Sequence, residues 1–159
     1  MDTYWFSKKT FEQLQVKYET LQFSKKEQYD LLNQAIQMDH SSDNLTEEFL
    51  KYKEIQKTLQ QIEEVIQRAK IIEDSPAYQK RLPNEVHVGT VVTLQFNEEE
   101  LYQYTIVGYG EGDLQKNHLS YTTDLAQAIL KRKINECFIF VQNGFEHRVK
   151  ILDIRPQLN

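Results

Sequence analysis

The chain has 159 residues, 40% hydrophobic and 27% charged, with a formal net charge of −5 and a single cysteine. No apolar run approaches the roughly 20 residues of a membrane-spanning helix, and the start MDTYWFSKKTFEQ lacks a basic-then-apolar signal pattern, so a cytoplasmic protein without membrane contact is expected. The acidic balance excludes a protein that grips duplex nucleic acid unaided, and Cys137, inside the apolar stretch CFIFV, excludes an internal disulfide and reads as a buried thiol.

From Ser7 to Ile72 there is no Gly or Pro, and Gln, Glu, Lys and Leu dominate. These are helix-compatible residues, and their apolar rhythm predicts two helices. Ser7 suits the first N-cap; Phe11, Leu14, Tyr18 and Leu21 recur at spacings of three and four, then Tyr29, Leu32 and Ile36 resume after a phase break near Phe23 that resembles a stutter. In the second helix Phe49, Tyr52, Ile55, Leu59, Ile62, Ile66 and Ala69 fall on one seam. A seam needs a partner, so an antiparallel coiled-coil hairpin over 1–74 is expected, turning through MDHSSDN.

Composition changes at IIEDSPAYQKRLPNEV, where Pro76 and Pro83 mark a linker over 75–85. Beyond it, over 86–159, VHVGTVVTLQF, LYQYTIVG, ECFIFV and HRVKILDI read as strands separated by turns at FNEEEL, GYGEGD and QNGFE, with Asn143-Gly144 the strongest hairpin signal. One helix is expected in TDLAQAILKRK, capped by Thr123 or Asp124 and ending in a basic turn at Lys131-Arg132-Lys133. The fold class is therefore α+β: a helical hairpin, then a small antiparallel sheet with one short helix.

Chemistry-bearing residues are few. GYGEGD lacks the Gly-Lys-Ser/Thr ending of a phosphate loop and reads as a turn. His40, His87, His118 and His147 show no metal-ligand spacing, and no nucleophile triad emerges. Lys8, Lys9, Lys17, Lys25 and Lys26 read as a solvated strip. At the hairpin end, Asn44 with Glu47 fits a capping box and Asp43 suits the helix dipole. The functional alternative is that Asp43, with Asp39 or Glu47, presents carboxylates to a hard cation such as Mg²⁺. Two carboxylates do not fill a coordination shell, so they would complete a two-metal centre in a large nucleotidyl-transfer enzyme.

Several short matches in order carry a family resemblance. Val88-Gly89, Tyr104-x-Ile106-Val107-Gly108, Glu111-x-Asp113, Leu119-Ser120 and Leu125-Ala126-x-Ala128-Ile129-Leu130, together with FSKKTFEQL and Asp43-Asn44 before Glu48-Phe49, resemble the bacterial GreA/GreB transcript-cleavage factors. The resemblance implies an FK506-binding-protein-like C-terminal domain without prolyl isomerase activity, docked on RNA polymerase at the rim of its secondary channel. It implies that the hairpin enters the channel and that acidic tip residues, here Asp43 with Asp39 and Glu47 as further candidates, help hold a Mg²⁺ shared with the polymerase. The polymerase's own site would then cut the 3′ end of backtracked nascent RNA, so the factor is neither a nuclease nor the owner of a cofactor, and meets DNA only through the polymerase complex. Asp113, Ser120, Lys131 and Arg132 are the docking candidates on this resemblance.

The sequence departs from the family at the tip, where His40 replaces the first acid of Asp-Leu-Ser-Glu-Asn. Imidazole is a poor substitute for a Mg²⁺-binding carboxylate. Thr123-Asp124 replaces Ser-Pro, Lys131-Arg132 replaces Gly-Lys, and Asn135-Glu136 replaces Gly-Asp. Two alternatives stay open: a channel-occupying regulator that does not stimulate cleavage, and a coiled-coil adaptor unrelated to polymerase.

Overall fold

The computed structural model describes residues 2–38, 42–80 and 82–157, and side chains for all of these except 38 and 42–44. Contacts divide the chain into two units, Met1–Thr10 with Lys70–Asn159, and Phe11–Ala69. The boundaries expected at 74/75 and 85/86 are thus drawn elsewhere. The reason lies in pairings that no local pattern announces: strand β1 (Tyr4–Phe6) pairs with β2 (Ala69–Ile71), and the Tyr109 amide donates to the Trp5 carbonyl at 2.7 Å. Tyr4 and Phe6 both meet the Tyr109 ring edge-on, at 5.0 and 5.8 Å.

In the helical unit, α1 (Lys8–Met38) and α2 (Ser42–Gln67) form the expected antiparallel hairpin. Gln28 reaches the Glu48 carbonyl at 3.3 Å, and the Tyr29 and Tyr52 rings lie 5.9 Å apart. The seam differs from the expected one near the turn. Leu32 and Ala35 are buried, whereas Tyr29 and Ile36 are about half exposed. Positions 11, 14, 18, 21, 25, 28, 32 and 35 of α1 are all covered at least in part, an alternation of three and four that runs through the expected phase break, with Thr10, Ser24 and Asn33 partly covered beside it. Lys25 and Gln28 occupy seam positions that an apolar pattern skips. Each is satisfied there, Lys25 with its ammonium 5.9 Å from the Tyr52 ring and Gln28 by Glu48. On α2, Leu59 and Ile62 are the buried seam residues, and near the turn Glu48 takes the covered position expected of Phe49, which is 46% exposed.

In the sheet unit, five strands run in the order β5 (His118–Ser120), β4 (Glu100–Val107), β3 (Thr90–Phe96), β7 (Phe145–Pro156) and β6 (Cys137–Gln142). Three pairings are antiparallel, but β4 and β5 are parallel, so the sheet is mixed rather than wholly antiparallel. Strand β3 alternates strictly, burying Thr90, Val92, Leu94 and Phe96. Its register with β7 shifts between Thr93 and Leu94. That bulge lets Val149, Ile151 and Ile154 all join the same core despite their uneven spacing. Helix α4 (Asp124–Ile129) covers the core with Ala126 and Ile129, both fully buried. Asn143 and Gly144, at φ 52° and 79°, make the two-residue hairpin loop that joins β6 to β7.

The linker holds a helical turn, α3 (Pro76–Gln79), whose start is capped by the Ser75 hydroxyl accepting from the Tyr78 amide at 3.2 Å. Two further expectations are corrected here. Helix α4 ends at Ile129, and Lys131 takes φ 67°, because its amide is drawn to the Val86 carbonyl at 2.8 Å while the Val86 amide donates to the Arg132 carbonyl at 2.9 Å. The basic tripeptide is therefore not a helical turn. Cys137 is exposed rather than buried, because Phe138 and Phe140 take the core side of β6 and leave the odd positions outside.

Candidate functional site: the hairpin end and an aromatic cleft

Two places present chemistry, one in each unit. At the hairpin end, Asp39 and His40 lie outside the described residues, as does the side chain of Asp43, whose backbone belongs to α2. Because α2 is already helical at Ser42, Asn44 sits inside the first turn and is not the N-cap. Glu47 accordingly does not close a capping box. It is exposed, and accepts from the Lys51 ammonium at 2.8 Å, one helical turn on. That hydrogen bond, with the charge behind it, lowers the Glu47 carboxyl below its ordinary range and raises Lys51. Glu48 shares the same ammonium at 3.6 Å. Among the described residues no three His, Cys, Asp or Glu side chains gather as a metal site. Carboxylate oxygens at a helix start suit a hard cation as added ligands rather than as a complete cage.

The sheet unit holds a cavity of about 610 Å³ whose walls include Phe96, Tyr102, Tyr104, Leu119, Phe140 and His147. Alternation places these rings together: Tyr102 and Tyr104 are two apart on β4, and Leu94 and Val92 stand opposite them on β3. Phe96 meets Tyr102 edge-on at 5.4 Å, and Tyr102 stacks near Tyr104 at 6.2 Å. The Tyr102 hydroxyl donates to Glu100 at 3.0 Å, and that carboxylate holds the phenol above its ordinary range. Thr123, Asp124 and Leu125, at the start of α4, close one side. Thr123 is the cap there; its hydroxyl oxygen accepts from the Ala126 amide at 3.4 Å and donates to the Ser120 carbonyl at 2.8 Å.

Of the docking candidates, Asp113 lies on the loop between β4 and β5, where it accepts from the Gln115 amide at 3.0 Å and stands 3.7 Å from Lys116. Its neighbour Leu114 is 82% exposed on the cleft rim. Ser120 is buried, bonded to the Gly108 carbonyl and to the Thr122 hydroxyl, and so serves the interior rather than a docking surface. Arg132 is likewise engaged, with its guanidinium 4.1 Å from the Phe138 ring centre and its Nε donating to the Ala128 carbonyl at 2.6 Å. Lys131 remains exposed. The aromatic cleft itself went unread in the sequence, although the spacing Tyr102-x-Tyr104 within a strand is a legible sign of rings on one face.

Residues 80–156, which include the whole cleft, match the family described as "Transcription elongation factor, GreA/GreB, C-term". The chain is 33% identical to transcription elongation factor GreA of Halalkalibacterium halodurans over 144 residues, 86% of this chain and 89% of that protein. The chain belongs to the GreA/GreB family of transcription elongation factors. A second GreA, from Staphylococcus saprophyticus, is 33% identical over 103 residues, a match spanning 64% of this chain and 62% of that protein. Among solved structures, GreA factor homolog 1 of Thermus thermophilus aligns over 97% of this chain and 99% of its own, at 16% identity and a TM-score of 0.44. In this GreA/GreB member the family match places the cleft, Asp113 and Lys131 in one C-terminal segment and leaves the hairpin end outside it.

Proposed function

We propose that this transcription elongation factor binds RNA polymerase at its secondary channel and stimulates the polymerase's own active site to cleave backtracked RNA. The observation that carries this reading is an antiparallel hairpin with Asp43 in the first turn of its second helix, in a chain of the GreA/GreB family. The aromatic cleft, with Leu114 and Asp113 on its loop, is the docking surface: exposed Tyr102 and Leu114 with half-buried Tyr104 and Phe140 offer apolar area with a polar rim. The Mg²⁺ shared with the polymerase would supply a Lewis acid and an activated water at the scissile phosphodiester. Asp43, assisted by Asp39, offers carboxylate oxygen to that ion. Glu47 is the weaker candidate, because the Lys51 ammonium already occupies its carboxylate. The factor supplies ligands and position, and the polymerase makes and breaks the bonds.

The test is RNA cleavage in an assembled backtracked complex with the cognate polymerase and Mg²⁺. Shortened 3′ ends that disappear with Asp43→Ala support the reading. Uncut RNA, with the factor demonstrably bound, sinks it.

His40 favours a second reading, in which the hairpin occupies the channel without stimulating cleavage. Under that reading the wild type is silent and His40→Asp gains cleavage.

A further inference from the structure

Alternation along β4 puts Glu100, Tyr102, Tyr104 and Ile106 on one face. Burial falls along that row, from fully buried Ile106 through half-buried Tyr104 to exposed Tyr102 and Glu100. The core face of the strand therefore runs out into the aromatic cleft and ends in a carboxylate. Asp124, exposed in the first turn of α4, brings a second carboxylate to the cleft wall. Among the described residues these are the only two charged side chains on that wall, and neither has an ion pair. His147 is engaged within the wall: its Nδ1 accepts from the Asn97 side-chain amide at 3.2 Å, while the Asn97 oxygen accepts from the Arg148 amide at 2.9 Å. Lys116, on the loop that carries Leu114 to the rim, stands 3.7 Å from Asp113. The Tyr102 ring is held between the edge-on Phe96 ring and the nearly parallel Tyr104 ring, and its hydroxyl uses one oxygen of Glu100.

We infer that the cleft is a guanidinium site, which takes one arginine side chain of the polymerase surface that docks there. Charge complementarity selects this occupant. Any partner seated on the cleft takes Glu100 and Asp124 out of water, and an apolar or anionic partner would leave both carboxylates without a counter-charge, a desolvation cost that nothing returns. A cation returns it. The faces of tyrosine and phenylalanine rings carry negative potential and attract the same sign of charge, so the rings and the carboxylates ask for one kind of group. Between the two cationic side chains, planarity decides. A guanidinium stacks flat on a tyrosine ring and gives forked donors to carboxylate oxygens, whereas an ammonium is a compact charge that water holds more strongly. That the arginine belongs to the polymerase rests on the docking reading; the guanidinium site itself does not.

Ring-proton NMR of the full chain tests the site with two small probes, N-acetylarginine methylamide and its neutral citrulline counterpart. The arginine probe is expected to shift the Tyr102 and Tyr104 signals and to bind about tenfold or more tightly than the citrulline probe. Glu100→Gln combined with Asp124→Asn, both at exposed positions, is expected to erase that preference while the chain stays folded by circular dichroism. Tyr102→Leu loses the arginine probe, and Tyr102→Phe, which keeps the ring, retains it. Equal binding of the two probes, or no shift from either, overturns the inference. Polymerase binding, read in parallel, is expected to weaken about tenfold in the doubly neutralised variant. If Tyr104→Ala weakens that binding and the neutralised variant does not, the cleft docks an apolar partner, and the inference is overturned while the docking reading stands. If the arginine probe binds the cleft and neither variant alters polymerase binding, the docking reading fails and the guanidinium site stands.

Discussion

Glu111 caps the first turn of α1 from 104 residues away: its carboxylate accepts from the Ser7 hydroxyl and, at 3.3 Å, from the Ser7 amide. The Thr10 hydroxyl donates to the same carboxylate at 2.5 Å, while Glu73 accepts from the Lys8 amide at 3.0 Å. A helix start leaves amides unsatisfied and carries partial positive charge. Helix α1 has no acidic residue in its own first turn. It borrows two, and Ser7 supplies the local cap by accepting from the Thr10 amide at 3.3 Å.

Removing this carboxylate takes the acceptor from the Ser7 amide and the Thr10 hydroxyl, while the Ser7 hydroxyl keeps the Thr10 hydroxyl oxygen at 3.1 Å. Glu111→Ala is expected to destabilise the sheet unit by about 1 to 3 kcal/mol, and Glu111→Gln by less, as read by denaturant unfolding. Gly108→Ala tests the same packing from behind, since a Cβ there would stand 2.1 Å from a Glu111 oxygen and 2.7 Å from the Trp5 carbonyl. An unfolding midpoint unchanged in both variants would show that the cap contributes nothing.

Two glycines separate backbone strain from crowding. At Gly144, φ is 79° and a Cβ meets nothing within 4 Å, so Gly144→Ala is expected to cost only about 1 kcal/mol for the left-handed backbone. At Gly89, φ is 89° and a Cβ would stand 2.6 Å from the Tyr78 ring, so Gly89→Ala is expected to cost roughly 2 kcal/mol more. Equal losses in chemical denaturation would contradict the packing of Tyr78 on Gly89.

The Glu47–Lys51 pair has a readable titration. Glu47 is lowered from 4.5 and Lys51 raised from 10.5. A carboxylate with a depressed folded pKa contributes above its unfolded value and loses that contribution as pH falls through the folded pKa. An ammonium with a raised pKa contributes below its unfolded value and loses it as pH rises through the folded pKa. The pair is therefore intact across neutral pH and fails at both extremes. Carboxyl NMR should place the Glu47 midpoint below 4.5, and Lys51→Met should return it upward; no movement would deny the pairing.

Binding and cleavage should separate by unit. Tyr104→Ala in the cleft is expected to weaken polymerase binding by about tenfold or more, as loss of an aromatic anchor does. Asp43→Ala is expected to abolish stimulated cleavage while changing binding by no more than about twofold. If Tyr104→Ala binds normally, the cleft is not the docking surface.

Much of the fold was legible because its signals are local. The hairpin follows from three-and-four spacing, and the β6/β7 turn from Asn143-Gly144 at positions that demand positive φ. Lys25 was read as solvated, and Gln28 and Glu48 went unread as seam residues, because a polar side chain enters a seam only when a partner on the other helix satisfies it, and no spacing reports the partner. Cys137 was misplaced for a related reason. In a wholly apolar strand, period two does not say which phase faces the core, and Phe138 and Phe140 win it by filling more volume. The helix in TDLAQAILKRK was read too long because Val86, not the helical pattern, takes the Lys131 amide.

The sequence by itself determined the α+β class, the two long helices and the turns, since propensity, periodicity and turn chemistry act within a few residues. Only the tertiary structure decided that Tyr4–Phe6 joins the sheet unit, that the rings of β3, β4 and β6 enclose one cleft, and that Glu111 caps α1. Those outcomes depend on hydrogen-bond donors and apolar faces finding partners on other elements, beyond the reach of any local pattern, and satisfying them is a property of the packed whole.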